Sequence, residues 1–190
     1  MLPIALWGML LVSCKGTKEV DEAFAKEKGT YFSIKRFILD EWTTHAGEPI
    51  SFAKTVTEND KITDTGFVNV EHMDWPSILG TFVETNIGER SFLGQYSYTE
   101  TPDSLDYTIN MLYMANSKDL FTQKLLLTVD MRTMKLMGVF IETYRKTFWN
   151  EQRQRLYYAP ATVIQIQQYD EPLIGKSKSK IIKYIAAGTR

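Results

Sequence analysis

From position 94 to position 187 apolar and polar residues trade places in short stretches, each closed by turn chemistry. Leu105, Tyr107, Ile109, Met111 and Tyr113 alternate with polar neighbours as far as Asn110, and a turn signal follows at Asn116-Ser117-Lys118-Asp119. Further stretches at 120–129, 134–144, 152–158, 161–169 and 176–187 are separated by turn residues, among them Asp130 to Thr133 and Asp170-Glu171-Pro172. A period of two places alternate side chains on opposite faces, which is the mark of a half-buried strand. Strands spaced by roughly ten to fifteen residues with turns between them predict an antiparallel meander.

The first third of the domain reads differently. Tyr31, Ile34, Phe37, Ile38, Glu41 and Trp42 recur at intervals of three and four and predict a helix over 31–45, stopped by Gly47 and Pro49. Ile50, Phe52, Lys54 and Val56 alternate along 50–57, Asn59-Asp60 is a turn signal, and 62–70 returns as the second arm of a hairpin with Gly66 at a bulge. A second helix is predicted over 74–87, capped by Asp74, with Pro76 in its first turn and Gly88 ending it. Trp75, Ile78, Leu79, Phe82, Val83 and Asn86 form its inward stripe.

The expected fold class is therefore α+β: two helices early in the chain, followed by a large curled antiparallel β-meander of about eight to nine strands. A sheet this wide must curl or close, because edges are a liability, and a half-barrel is one form it can take. Lys176, Lys178 and Lys180 fall on one side of the final stretch, where lysines are expected to guard an edge strand.

Few catalytic options survive inspection. There is no G-x-S-x-G elbow, no phosphate-binding glycine loop and no H-E-x-x-H pair. His45 and His72 are not at ligand spacing, so no metal and no other cofactor is expected. Glu100, Asp103 and Asp106 lack the length and glycine of a calcium loop and read as a hairpin tip. A net charge of −1 gives no general attraction to nucleic acid, although the charge is lopsided: 14–130 holds 11 basic and 19 acidic residues, and 131–190 holds 11 and 4. The two parts are expected to neutralise each other, with an exposed basic face as the alternative. An apolar cavity in a curled sheet would be lined by positions such as Met111, Leu127, Met137 and Phe140. Phe148 and Trp149 fall in a hairpin tip, either as a covered corner or as a surface contact for a sugar, a lipid or a protein. Trp42 and Trp75 belong to the helical stripes and the core.

Positions 1–13 contain no charged side chain and are too few for a spanning helix, which needs about 17–25 residues. They end in Leu11-Val12-Ser13-Cys14, which resembles a bacterial lipobox, although the basic residue that usually opens such a signal is missing. The resemblance implies a signal peptide over 1–13 and acylation of Cys14, and two or three acyl chains would make membrane attachment effectively permanent. Cys14 is the one cysteine, so an acylated chain would fold without a disulfide. Positions 14–30 are charge-dense and read as a flexible tether, followed by a single α+β domain over 31–190.

At Tyr31-Phe32-x-Ile34, Lys54-Thr55-Val56 and Asp74-Trp75 the chain also resembles a class of small lipoproteins of the Bacteroidota. That resemblance implies a cell-envelope protein attached through its acyl anchor to a membrane, the outer membrane in such cells, on its periplasmic or surface side. It brings no catalytic residues. The function expected is non-enzymatic: a binding or assembly module with an envelope protein or lipid partner, or a carrier of a lipid or other hydrophobic ligand. The alternative is a hydrolase that modifies envelope polymers, for which His45 or His72 would have to meet an acid in a cleft.

Overall fold

A computed structural model of the chain describes residues 31–45 and 47–187. Cys14, the segment 1–13 and the segment 14–30 lie outside the described residues. Helix α1 (Ile34–His45) leads into strands β1 (Ser51–Glu58) and β2 (Lys61–Asn69), then helix α2 (Trp75–Val83), then seven consecutive strands. These are β3 (Tyr96–Asp103), β4 (Thr108–Ala115), β5 (Thr122–Asp130), β6 (Leu136–Lys146), β7 (Asn150–Ala159), β8 (Val163–Pro172) and β9 (Lys178–Ala186). All nine form one open antiparallel sheet in the order β2-β1-β9-β8-β7-β6-β5-β4-β3. The sheet does not close into a barrel, and the second helix comes after the first hairpin.

That order corrects the expected edge. β9 lies inside the sheet, bonded to β8 on one side and β1 on the other. Its Lys180 is neutralised across the ladder by Glu58 at 3.0 Å. The true edges are β2, exposed on both faces with only Val68 half-buried, and β3. Both are protected in other ways: β2 carries Lys61 and Asp64, and β3 carries Glu100, Pro102 and Asp103. Gly66 is also not at the bulge. It pairs regularly with Lys54, and the irregularity falls opposite Val56 and Thr57, where Thr63 is the extra residue.

One face of the sheet holds the core. The ladder aligns Tyr113, Leu125, Ile141, Leu156, Ile166, Ile182 and Val56 in one row. Met111, Leu127, Val139, Tyr158, Ile164 and Tyr184 form the next row. Leu125, Ile141 and Leu156 are fully buried, and burial of such a side chain stabilises by about 1.5–3 kcal/mol.

The two helices close this face. The chain leaves β2 at one edge and re-enters at β3 on the other, so α2 and its flanks must cross the sheet. Trp75 packs against Phe52 on β1, and further along the segment the Thr85 carbonyl accepts from Thr122 Oγ1 on β5. α1 runs the opposite way, from Tyr31 beside Tyr96 and Tyr113 to Phe37 edge-on to Tyr158.

A loop side chain fastens the two helices together. Asp74 caps α2 through Ser77 N–H, as its position predicts, but the helix ends at Val83 rather than at Gly88. The freed residues turn back under α1. Asn86 Oδ1 accepts from Ser33 Oγ at 3.2 Å and from the Lys35 N–H at 3.4 Å, satisfying a donor at the start of α1. Gly88 then presses on the same turn: a Cβ there would stand 2.8 Å from Ser33 Cα and Cβ. Gly88→Ala is therefore expected to destabilise by about 1–3 kcal/mol through overpacking. Urea denaturation checks this, and an unchanged midpoint would mean that the two segments separate without cost.

Candidate functional site

His45 ends α1, one turn beyond Glu41, so both side chains share a helical face. Its Nδ1–H donates to Glu48 Oε2 at 2.7 Å, and its Nε2 lies 3.5 Å from Glu41 Oε2. The same Glu41 oxygen accepts from the Tyr158 hydroxyl at 3.1 Å. Burial, then the adjacent Glu41 carboxylate, holds the Tyr158 phenol far above its ordinary pKa. The histidine thus meets two acids. The hollow beside it, lined by Ile50, Phe52, Trp75, Tyr158 and Ile164, is about 10 Å³, room for about one water molecule. The arrangement pins the end of α1 to β7, and on its outer side Glu48 borders an open hollow of about 300 Å³ with Pro49, Ile50, Asn69 and Glu71. His72 stands exposed, with Glu71 3.8 Å away.

The four positions expected to line one cavity are separated. Met111 and Leu127 pair across β4 and β5 on the helix-covered face, where Leu127 is fully buried. Phe140 follows the buried Val139 and so points to the opposite face, where Lys124 sits 5.5 Å from its ring. Met137 is the extra residue where β5 and β6 lose register, and it is exposed. A one-residue irregularity reverses the face of everything after it, and counting alternation through the turn could not detect this one. Asp103 is spent on its own turn, accepting from the N–H groups of Leu105 and Asp106.

Phe148 and Trp149 are not a covered corner. Thr147 and Asn150 close the β6–β7 turn on each other, and the two aromatic side chains between them project outward. Their rings meet edge to face, with centroids 4.7 Å apart. The β8–β9 turn joins them: Leu173 N–H donates to the Trp149 carbonyl at 2.8 Å. Leu173 and Ile174 are exposed as well, so the two tips present four large apolar side chains at 78, 65, 65 and 82 % exposure in chain order. Sequence reading missed Leu173 and Ile174. The signal was a pair of large aliphatic residues between Pro172 and Gly175, a place where a turn is ordinarily polar. Gly175, at φ +119°, lets the chain reverse there.

The sheet face away from the helices is polar at its centre. Glu142, Tyr144, Arg153, Arg155 and Tyr169 line a shallow open groove there. Arg155 Nε lies 3.2 Å from Glu142, and Arg153 lies over the Tyr144 ring.

No family model, curated protein or solved structure gives a significant match to this chain. The site must be read from its own chemistry.

Proposed function

We propose that this chain is a lipid-anchored protein of the cell envelope, held through acyl chains on Cys14, that acts by binding or assembly rather than by catalysis. One observation carries the functional half of this reading. The inner sheet face is filled by α1 and α2, while the most exposed apolar side chains stand on hairpin tips, Leu105, Phe148, Trp149, Leu173 and Ile174 among them, and on the edge strand β2. Surfaces of that kind mark contacts with proteins or membranes. The lipobox-like Leu11-Val12-Ser13-Cys14 supports the anchor, and Lys15 after the cysteine suits placement at the outer membrane.

A finer form of the reading curls the sheet into a half-barrel that carries a lipid or other hydrophobic ligand. It would use Met111 and Leu127 and requires the helices to lift from the sheet. Native mass spectrometry of delipidated protein tests it: a chain that gains no lipid when offered one is not a carrier.

The anchor is tested in growing cells. Labelled palmitate is expected to enter the wild-type protein and not Cys14→Ser, and the variant is expected to leave the membrane fraction. A wild-type chain that takes up no label would end this reading. The contact of His45 with Glu41 and Glu48 favours the hydrolase alternative. If wild-type protein releases soluble fragments from envelope polymer and His45→Gln does not, catalysis replaces binding.

A further inference from the structure

We propose that the paired tips of the β6–β7 and β8–β9 hairpins form a membrane-docking surface for an anionic bilayer, independent of any acyl chain. Phe148, Trp149, Leu173 and Ile174 stand together, tied by the Leu173–Trp149 backbone hydrogen bond. Aromatic side chains with one polar edge favour the headgroup level, where apolar neighbours reach the acyl boundary.

Charge separates a bilayer from an uncharged apolar partner. Positions 145–151 and 170–180, which make the two tips, hold 5 basic and 3 acidic residues. Glu151 is already paired with Lys146 and Arg153, whereas Asp170, bonded to the neutral Gln152 and Gln168 amides, and Glu171 keep their charge against Arg145, Lys176 and Lys178. Lys176 and Lys178 are exposed beside Leu173 and Ile174, with no ion pair within 4 Å among the described residues. At this place the acidic part of the chain takes up one tip lysine, Lys180, and leaves Lys176 and Lys178. Lys180–Glu58 joins the two parts, whereas Arg155–Glu142 and Lys146–Glu151 stay within the basic one.

The position of the patch fits its task. The β1–β2, β4–β5, β6–β7 and β8–β9 connections lie at one end of the sheet, and β3 begins there. Tyr31, the first described residue, contacts Gly94 and Tyr96 at that end. Cys14 is seventeen positions before it. A membrane that receives the tips therefore faces the end of the sheet at which Tyr31 sits. The opposite end also exposes apolar side chains, Leu105 and Met134 among them. Of its three hairpin turns, 103–107 and 130–135 hold 3 acidic and 2 basic residues and 160–162 none, the wrong sign for anionic lipid.

This inference deepens the anchored-module reading, and its test is separate from acylation. Full-length Cys14→Ser protein is sedimented with vesicles of phosphatidylethanolamine and phosphatidylglycerol at 3:1 in about 0.1 M salt. All variants are made in that background and share residues 1–13, so differences between them report the tips. Phe148→Ser/Trp149→Ser/Ile174→Ser is expected to weaken binding at least about tenfold. Lys176→Gln/Lys178→Gln should weaken it about fivefold per lysine, with less effect at high salt. Leu105→Ser/Met134→Ser should bind as the parent does. In a Trp7→Phe background, Trp149 fluorescence should shift to the blue on vesicles, and Trp149→Phe should abolish the shift. Equal binding by the tip variant, equal loss in the Leu105/Met134 variant, or pelleting without vesicles would each overturn the proposal. Vesicle binding that is lost in the tip variant, by a chain that takes up no palmitate, would leave docking standing while the anchor falls.

Discussion

Replacing Phe82 with alanine is expected to cost about 3–5 kcal/mol, the range for emptying a buried aromatic site. Phe82 is fully buried, and its ring meets Tyr158 at 6.0 Å, so it connects α2 to the middle of the sheet. The same Tyr158 ring is met from the other side by Phe37 of α1 at 5.7 Å. Loss of Phe82 therefore leaves a void under both helices, with rigid strands on one wall that cannot collapse into it. For a domain of this size the melting temperature should fall by roughly 6–20 °C. Thermal unfolding followed by circular dichroism measures this, and a drop of only a degree or two would mean that α2 does not close the core.

The second large effect is expected at alkaline pH. Burial pushes the Tyr96 phenol up to about 12. Tyr113, Tyr158 and Tyr184 are also raised, chiefly by burial. A raised tyrosine favours the neutral folded form, so its contribution is complete below the ordinary value near 10. It is lost as pH rises from there through the folded value, because the unfolded chain releases protons that the folded chain retains. Each lagging phenol steepens the fall in stability by up to about 1.4 kcal/mol per pH unit.

Cooperative unfolding is therefore expected above about pH 10, with tyrosinate absorbance rising in the same transition as the loss of near-ultraviolet circular dichroism. Tyr158→Phe gives the sharper check. Without the hydroxyl that Glu41 accepts, it should be less stable at neutral pH by about 1 kcal/mol. Without a phenol to ionise, it should lose less between pH 10 and 12. Full ionisation of these four tyrosines in a chain that keeps its native spectrum would contradict the packing described here.

How much of this was legible in the sequence depends on the range of the interaction. The seven-strand meander was, because alternation and turn residues act over a few positions and consecutive antiparallel strands pair by default. Asp74 and Pro76 placed the start of α2 for the same local reason. Asn86 read as the last residue of a helical stripe. Its actual work, capping α1 from a loop 53 positions away, has no local signature. The histidine was placed correctly at the end of α1, but its acid partners mattered only once Tyr158 and the one-water hollow were beside it.

The amino-acid order by itself determined which stretches become helices and strands and their succession, since these follow from backbone propensity and side-chain period, but not the face of Phe140 or the end of α2. Tertiary structure alone decided that β1 joins β9 and buries a lysine-bearing strand inside the sheet, because that pairing spans more than a hundred residues and an interior strand alternates just as an edge strand does. It also decided that Phe148, Trp149, Leu173 and Ile174 converge on one exposed surface. A large apolar residue records only a preference to leave water, and whether another element is there to cover it is settled by the whole fold.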